Sequence, residues 1–346
     1  MFIALELSER KENILSAIIE RFILTGEPVG SKFLAATLPL TVSSATIRNE
    51  MAFLAEKGYL DQPHTSAGRI PSDKGYRYYI DKLLHNFAPS DSDVFRILSH
   101  IDHSEGDSDR ILSQVAEVLA ELTGCAVIAT TPDAEGSVIK NIQIIPVSKK
   151  TAMTVVTTSS GALKSRIARL EKEPDYSLLE IFYSTAAANF IGRPLTEINT
   201  ATIQSVASSL GQTALELTPL LAAFYDCIKA CTDTDFIVKG HSNLLNSEEL
   251  RNHAVDMIEL FGDSDALKNM LKFRSDSPVE LRIGTENIFS CMRNAAVIKA
   301  VYEVNGSRGG MIAVAGPTKM DYSRIIPLVK YISGITGQLL TEAITA

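Results

Sequence analysis

The sequence predicts a multidomain α+β protein, and three observations predict it. Helical periodicity opens the chain over residues 7–24. β-branched runs of strand length follow at 125–158 and return at 279–315. Helical patterns fill the interval between the two sets of strands. Strands first, helices between and strands to close describe one α+β domain interrupted by an insertion, with a small helical unit ahead of it.

The opening helix carries Ile14, Leu15, Ile18, Ile19, Phe22 and Ile23 at helical spacing, with Ser8 placed to cap it. Thr25-Gly26-Glu27-Pro28 stops it, because Gly accepts the left-handed C-terminal position and Pro cannot continue a helix. Ser31 is expected to cap a second, short helix that Pro39 ends. Ser43 or Ser44 caps a third, running to about Lys57 and closed by Gly58. On the third helix Ile47, Met51 and Leu54 form an inward stripe, which leaves Ala45, Thr46, Arg48, Asn49, Ala52 and Glu56 on the opposite face.

That outer face suits a DNA major groove. Small residues at the helix start allow close approach, and Arg and Asn are the side chains that read guanine and adenine edges bidentately. Residues 59–62 then read as a strand, His64-Thr65-Ser66-Ala67-Gly68 as a turn and Arg69-Ile70-Pro71 as the return. Three helices followed by this hairpin make a winged helix-turn-helix over residues 1–84. The candidate DNA-binding residues are Ser43, Ser44, Ala45, Thr46, Arg48 and Asn49 on the third helix, with His64, Thr65, Ser66, Arg69, Lys74 and Arg77 on the wing and beyond it. A three-helix cluster with one exposed Arg is also common in proteins that bind no DNA, so pattern alone leaves that alternative open.

Charge limits how such a head works. Residues 1–84 hold ten Lys/Arg and ten Asp/Glu, whereas the remainder holds 23 and 31, so the net charge of −8 sits entirely outside the head. A neutral head on an acidic body binds nucleic acid weakly without specific contacts. Specific readout and dimer geometry must supply the affinity.

The N-terminal string is long and continuous: Ser8-Glu9-Arg10, Gly30-Ser31-Lys32, Ser43-Ser44-Ala45-Thr46-Ile47-Arg48-Asn49-Glu50-Met51, Gly58-Tyr59-Leu60, and Gln62-Pro63-His64-Thr65-Ser66-Ala67-Gly68-Arg69-Ile70-Pro71. It closely resembles HrcA, the bacterial heat-inducible transcription repressor family. Gly240-His241-Ser242-Asn243-Leu244-Leu245, Arg282-Ile283-Gly284-Thr285-Glu286-Asn287 and Gly316-Pro317-Thr318-Lys319-Met320-Asp321-Tyr322-Ser323-Arg324 resemble that family's later signatures. Departures are mild: Phe53 stands where a charged residue is usual and Ser72 where Thr is, and residues 86–115 match weakly. The resemblance implies a winged helix, a GAF-like α/β domain of sensor type and an inserted, mainly helical dimerisation domain. It also implies repression of heat-shock chaperone operons through the inverted repeat called CIRCE, bound as a dimer, with the chaperonin GroEL keeping the repressor active. The alternative reading is a winged-helix regulator whose GAF-like domain binds a small-molecule effector.

Composition agrees with a multidomain chain. At 346 residues two or three domains are expected, and mean hydropathy of +0.10 describes an ordinary globular protein. Cys125, Cys227, Cys231 and Cys291 show no framework spacing. No apolar run approaches the ~18 residues of a membrane span, and Met1-Phe2-Ile3-Ala4-Leu5 is too short and lacks the basic flank of a signal peptide. A cytoplasmic location, with no membrane partner, is the expectation.

Beyond the head, residues 85–110 hold the most polar, turn-prone stretch and read as a linker around a short helix. Residues 125–131, 138–147 and 151–158 read as strands, with Asp133-Ala134-Glu135-Gly136 as a turn. Helical patterns span 177–231, Phe236-Ile237-Val238 reads as a strand, and helices return at 247–261 and 263–273. Strands at 279–283, 294–304 and 311–315 follow. Asn305-Gly306 is the strongest hairpin signal in the chain, and a final helix covers about 322–343. These patterns divide the chain into residues 1–84, a linker at 85–110, an α/β domain from 111–175 and 276–346, and an insertion at 176–275. Leu215, Leu217, Leu220, Leu221 and Phe224 give the insertion an apolar density that suggests a partner surface.

Other chemistry is weakly encoded. Gly306-Ser307-Arg308-Gly309-Gly310 lacks P-loop spacing and fits a hairpin. The turn from Gly316 into the last helix offers a helix N-terminus to an anion but reads more simply as structural. Cys227 and Cys231 lie one helical turn apart with no third ligand nearby, so they read as buried thiols. Tyr76, Tyr78 and Tyr79 read as packing residues, and His100 and His103 as part of a solvated linker. No nucleophile–histidine arrangement is present. The chain is expected to be no enzyme and to need no cofactor or metal.

Overall fold

A computed structural model describes residues 7–39, 42–64, 67–84, 88–102, 107–132, 137–272 and 277–345. The head begins with α1 (Glu9–Thr25), α2 (Ser31–Thr37) and α3 (Ser44–Glu56), followed by the two-residue strands β1 (Leu60–Asp61) and β2 (Ile70–Pro71) and by α4 (Asp73–Tyr78). Ile14, Leu15, Ile18 and Ile19 of α1 close over Leu34 of α2 and Ile47, Met51 and Leu54 of α3, all buried. The expected inward stripe of the third helix is therefore the head's core. One local expectation is corrected: α2 is capped by Gly30 rather than Ser31, with no side-chain bond to its free N–H groups.

Two helices join head to body. α5 (Asp91–His100) falls within the stretch read as linker, yet it is docked: Ile97 and Ile101 are buried, and Asp93 receives the Arg324 guanidinium at 2.8 Å. α6 (Ser108–Thr123) follows and buries Ile111, Leu112, Val115 and Leu119 on one face.

β3 (Ala126–Thr130) starts the body sheet, and the chain then leaves it. β4 (Ile139–Ser148), β5 (Thr151–Thr158) and β6 (Leu163–Arg169) form a separate three-stranded antiparallel sheet. α7 (Tyr176–Asn189), α8 (Thr200–Ser209) and α9 (Ala214–Thr232) follow, with α9 packed directly on β5 and β6. Their shared core contains Ile142, Val156, Phe182, Phe190, Leu217, Leu220, Leu221 and Phe224 and includes no residue of the head or the body sheet.

The chain re-enters the body as β7 (Phe236–Lys239), which pairs antiparallel with β3, Val127 opposite Lys239 and Thr130 opposite Phe236. Then come α10 (Asn243–Asn246), α11 (Ala254–Gly262), α12 (Ser264–Leu271), β8 (Val279–Ile283), β9 (Ala295–Val304), β10 (Ser307–Pro317) and α13 (Tyr322–Thr345). The body sheet runs β7-β3-β10-β9-β8, each neighbour antiparallel. Alternation along its strands divides the core in two. Val127, Ala129, Ile298, Ile312 and Val314 face α6 and α13, while Ala126, Ile128, Val297, Ala313 and Ala315 face α11 and α12. Asn305 and Gly306 both take left-handed backbone angles (φ 53° and 72°), the geometry a two-residue hairpin between β9 and β10 requires.

The expected segment boundaries need correction. The strands within 139–169 belong to the insertion rather than to the body sheet, and residues 236–271 belong to the body rather than to the insertion. The physical reason is the β3–β7 pairing, a contact between segments more than a hundred residues apart that no local pattern encodes. β6 escapes pattern reading because Lys164, Arg166 and Arg169 dilute its alternation.

Behind β8 sits a buried charge cluster. Lys299 is fully buried, its ammonium 3.4 Å from Glu280 and 3.2 Å from the Lys272 carbonyl. Arg282 pairs with Glu280 at 3.2 Å and donates to the Met270 and Lys272 carbonyls at the end of α12. Two cations thus meet one carboxylate and the carbonyl end of a helix, where positive charge is favoured. Glu280→Ala is expected to destabilise the body by about 3–5 kcal/mol, because it strands two buried cations. Chemical denaturation measures this, and a Lys299→Met/Glu280→Leu double variant should recover only part of the loss, because Arg282 keeps its carbonyl partners but not its carboxylate.

Candidate nucleic-acid interface

The start of α3 is built by its cap. Ser43 Oγ accepts the Thr46 N–H at 3.2 Å and lies 3.0 Å from the Thr46 hydroxyl. Ser43, Ser44, Ala45, Arg48 and Asn49 are all exposed, and Thr46 is partly so. The helix is gripped from behind by Glu50, which faces α1 and pairs with Arg10 and, at 3.2 Å, with Lys11. Burial alone would raise the Glu50 carboxyl, but hydrogen bonds from Lys11 and Arg10 outweigh it and hold the group below its ordinary value. Phe53, the departure noted above, lies under two ammonium groups, Lys11 at 4.7 Å and Lys57 at 5.6 Å from its ring centre.

The wing is tied to the helical part by backbone. Val29 and Arg69 exchange two hydrogen bonds of 2.9 Å, which adds a third short strand segment to the β1–β2 pair. This brings Arg69 opposite α3. A groove of about 470 Å³ lies between them, lined by Gly30, Ser31, Arg48, Met51, Gln62 and Arg69. Arg69 Nε is buried there without a hydrogen-bond partner among the described residues. A groove with two guanidinium groups on its walls suits a phosphodiester. Ser31 and Gln62 are not among the contact residues the sequence suggested, because nothing local shows that the wing folds back over the start of α2.

The remaining candidates are placed as follows. His64 is exposed at the start of the wing turn, and Thr65 and Ser66 lie outside the described residues. Lys74 is at the other end of α3: its ammonium donates to the Lys57 carbonyl at 2.8 Å and lies 4.3 Å from the Tyr59 ring centre. Arg77 turns toward the body. Its guanidinium pairs with Glu286 and donates to the Leu281 carbonyl at 2.8 Å, with Asp81 3.6 Å away. Burial would lower its pKa, but Glu286 and Asp81 outweigh that and raise it. The structure therefore brings Ser43, Ser44, Ala45, Thr46, Arg48, Asn49 and Arg69 to one surface and leaves Lys74 and Arg77 off it.

Elsewhere, Cys227 and Cys231 are buried, and burial pushes both thiols up to about 11. No cluster of metal-ligating side chains occurs among the described residues, and no described helix is long and apolar enough to cross a membrane.

Comparison with known proteins decides the family. A family model described as the HrcA protein C-terminal domain matches residues 109–326. The heat-inducible transcription repressor HrcA of Acetivibrio thermocellus is 35% identical over 329 residues, 94% of each chain. That of Thermoanaerobacter pseudethanolicus is 34% identical over 340 residues, 97% of this chain and 98% of the other. This chain belongs to the HrcA family. A crystal structure described as that of a hypothetical protein overlays with a TM-score of 0.65 at 24% identity, covering 98% of this chain and all of the other; that likeness speaks for the fold. HrcA-family membership makes transcription repression in the heat-shock response the setting in which the α3 face has to be understood.

Glu50 gives the head a testable acid sensitivity. A carboxyl held below its unfolded value, near 4.3, stabilises the fold fully above that pH and loses its contribution as pH falls through the lower folded value. Glu50→Gln is expected to cost about 1.5–3 kcal/mol at neutral pH. The gap between wild-type and variant unfolding midpoints should close as pH drops below about 4.

Proposed function

We propose that this chain is a sequence-specific repressor of heat-shock chaperone operons that binds the CIRCE inverted repeat as a dimer, one head per half-site. The observation that carries this reading is the convergence of Arg48 and Arg69 on one groove beside the exposed start of α3. In that arrangement Arg48 and Asn49 meet base edges while Arg69 holds the backbone. The names of the HrcA relatives supply the heat-shock context. We read the body sheet with its helices as GAF-like, and the chaperonin GroEL as the partner that keeps the repressor active.

The dimer contact belongs, in this reading, on the insertion but not on the surface first expected. Leu217, Leu220, Leu221 and Phe224 are buried in the insertion's own core, and only Leu215 of that group is exposed. Exposed apolar side chains lie instead on the three-stranded sheet, where Ile145 opposes Met153 and Met153 opposes Ile167 in one row. Ile145 is 41% exposed and Ile167 66%, and Leu163, four residues earlier along β6, is 62% exposed. A second copy suits this row, because an inverted repeat demands two heads related by a twofold axis.

Two experiments test the reading. In a band-shift with CIRCE and random DNA, Arg48→Ala and Asn49→Ala should each lose ~1–3 kcal/mol of discrimination at one base pair per half-site. Arg69→Ala should weaken all binding and flatten the salt slope by about one unit, whereas Lys74→Ala should leave the slope unchanged. Equal loss on operator and random DNA in the Arg48 variant overturns the recognition-helix assignment, and the same shift with and without GroEL reports on the chaperonin. In sedimentation, the full chain should run as a dimer, Ile145→Glu/Ile167→Glu as a monomer, and Leu215→Glu as a dimer; a monomeric wild type that still binds one operator tightly sinks the model.

A further inference from the structure

The contacts of Arg77 point to a role for a segment that DNA binding leaves unused, Arg282-Ile283-Gly284-Thr285-Glu286-Asn287. Asp73, the first residue of α4, accepts two hydrogen bonds from Thr285, from its N–H at 2.8 Å and its hydroxyl at 2.9 Å. One turn later Arg77 pairs with Glu286 and reaches the Leu281 carbonyl. Gly284 has φ +52°, and a Cβ there would run into the Asp73 carboxylate, so the seat tolerates only glycine. The turn is itself fixed to the body. Glu286 also accepts the Ile283 N–H at 2.9 Å, and the Asn287 amide donates to the Gly284, Met292 and Ala295 carbonyls.

On the head side α4 is fused to the end of the recognition helix. Ser72 caps α4 and donates to the Gly58 carbonyl at 2.6 Å, while Lys74 caps α3 at Lys57. Rigid contacts therefore run from α3 through α4 to β8. α3 is about 20 Å long, so a tilt of about 10° at its latched end moves its tip by about 3.5 Å, close to the rise of one base pair.

We infer that Asp73, Arg77 and the Gly284–Glu286 turn form a latch that sets the angle of the head on the body and thereby the half-site spacing the dimer reads. Arg77 is a positioning residue and touches no DNA. The inference rests on the operator reading above.

The test uses the full-length chain with one half-site duplex and a series of inverted repeats whose spacers differ by single base pairs. Wild type should favour one spacer. Arg77→Ala should keep half-site affinity within about twofold, yet lose about tenfold on the optimal repeat and flatten the spacer profile, because effective concentration depends on geometry. Asp73→Asn, which keeps shape, should flatten it in the same direction. Arg77→Glu/Glu286→Arg should restore part of the preference. Equal weakening of half-site and repeat by Arg77→Ala, with a shallower salt slope, would make Arg77 a phosphate contact and overturn the latch; so would an unchanged spacer profile in both single variants. A wild type with no preference for any repeat over the half-site overturns the operator reading instead, and the latch's function with it.

Discussion

Head and body share a continuous apolar core, and the polar contacts that orient α4 on it gather at one edge of one sheet. β8 lies at the end of the body sheet, and residues from Glu280 to Asn287 hold three neighbours at once. Arg282, paired with Glu280, donates to the carbonyl end of α12, the Gly284–Glu286 turn seats α4, and Asn287 ties the turn to the start of β9. Edge strands leave one row of backbone groups unpaired and are usually a liability. Here the outer row is partly used, since the Leu281 carbonyl accepts Arg77.

The polar content of that edge has an energetic logic. Lys299 and Arg282 are desolvated, and desolvated cations are tolerable only with full sets of partners. Glu280 and the last carbonyls of α12 supply them, so the helix dipole assists the pairing. An apolar edge would pack as tightly but would not specify where α12 ends or where β8 must lie.

What the sequence made legible was local, and what it hid was not. The stripe of α3, the Ser43 cap, the Asn305-Gly306 hairpin and the bounds of β8 all follow from residues within a turn or two of each other. The insertion's edges were misplaced because β3 and β4 read alike as β-branched runs, and only pairing with β7 tells which belongs to the body. The apolar density of α9 misled for a related reason, since hydrophobic content does not say whether a helix faces its own sheet or another chain. Of the candidate site, the α3 face lies together as expected, while Lys74 and Arg77 were drawn to the DNA side by charge alone. Their partners, a helix-end carbonyl and a carboxylate 209 residues away, leave no local trace.

The head's neutrality takes on a different meaning once its cations are placed. Arg10 and Lys11 share the Glu50 carboxylate, Lys57 faces Glu56 and the Phe53 ring, Lys74 caps α3, and Arg77 belongs to the seam. Arg21 lies over the Phe33 ring, Lys32 is exposed at the start of α2, and Arg48 and Arg69 line the groove. On the operator reading proposed above, a head with no net positive charge binds non-specific DNA weakly. In that reading, one such head holds a site weakly by itself, and the affinity comes from two heads acting together. Bivalent gain depends on geometry, and in the latch proposed above the turn at Gly284–Glu286 sets that geometry, on top of the apolar core that head and body share.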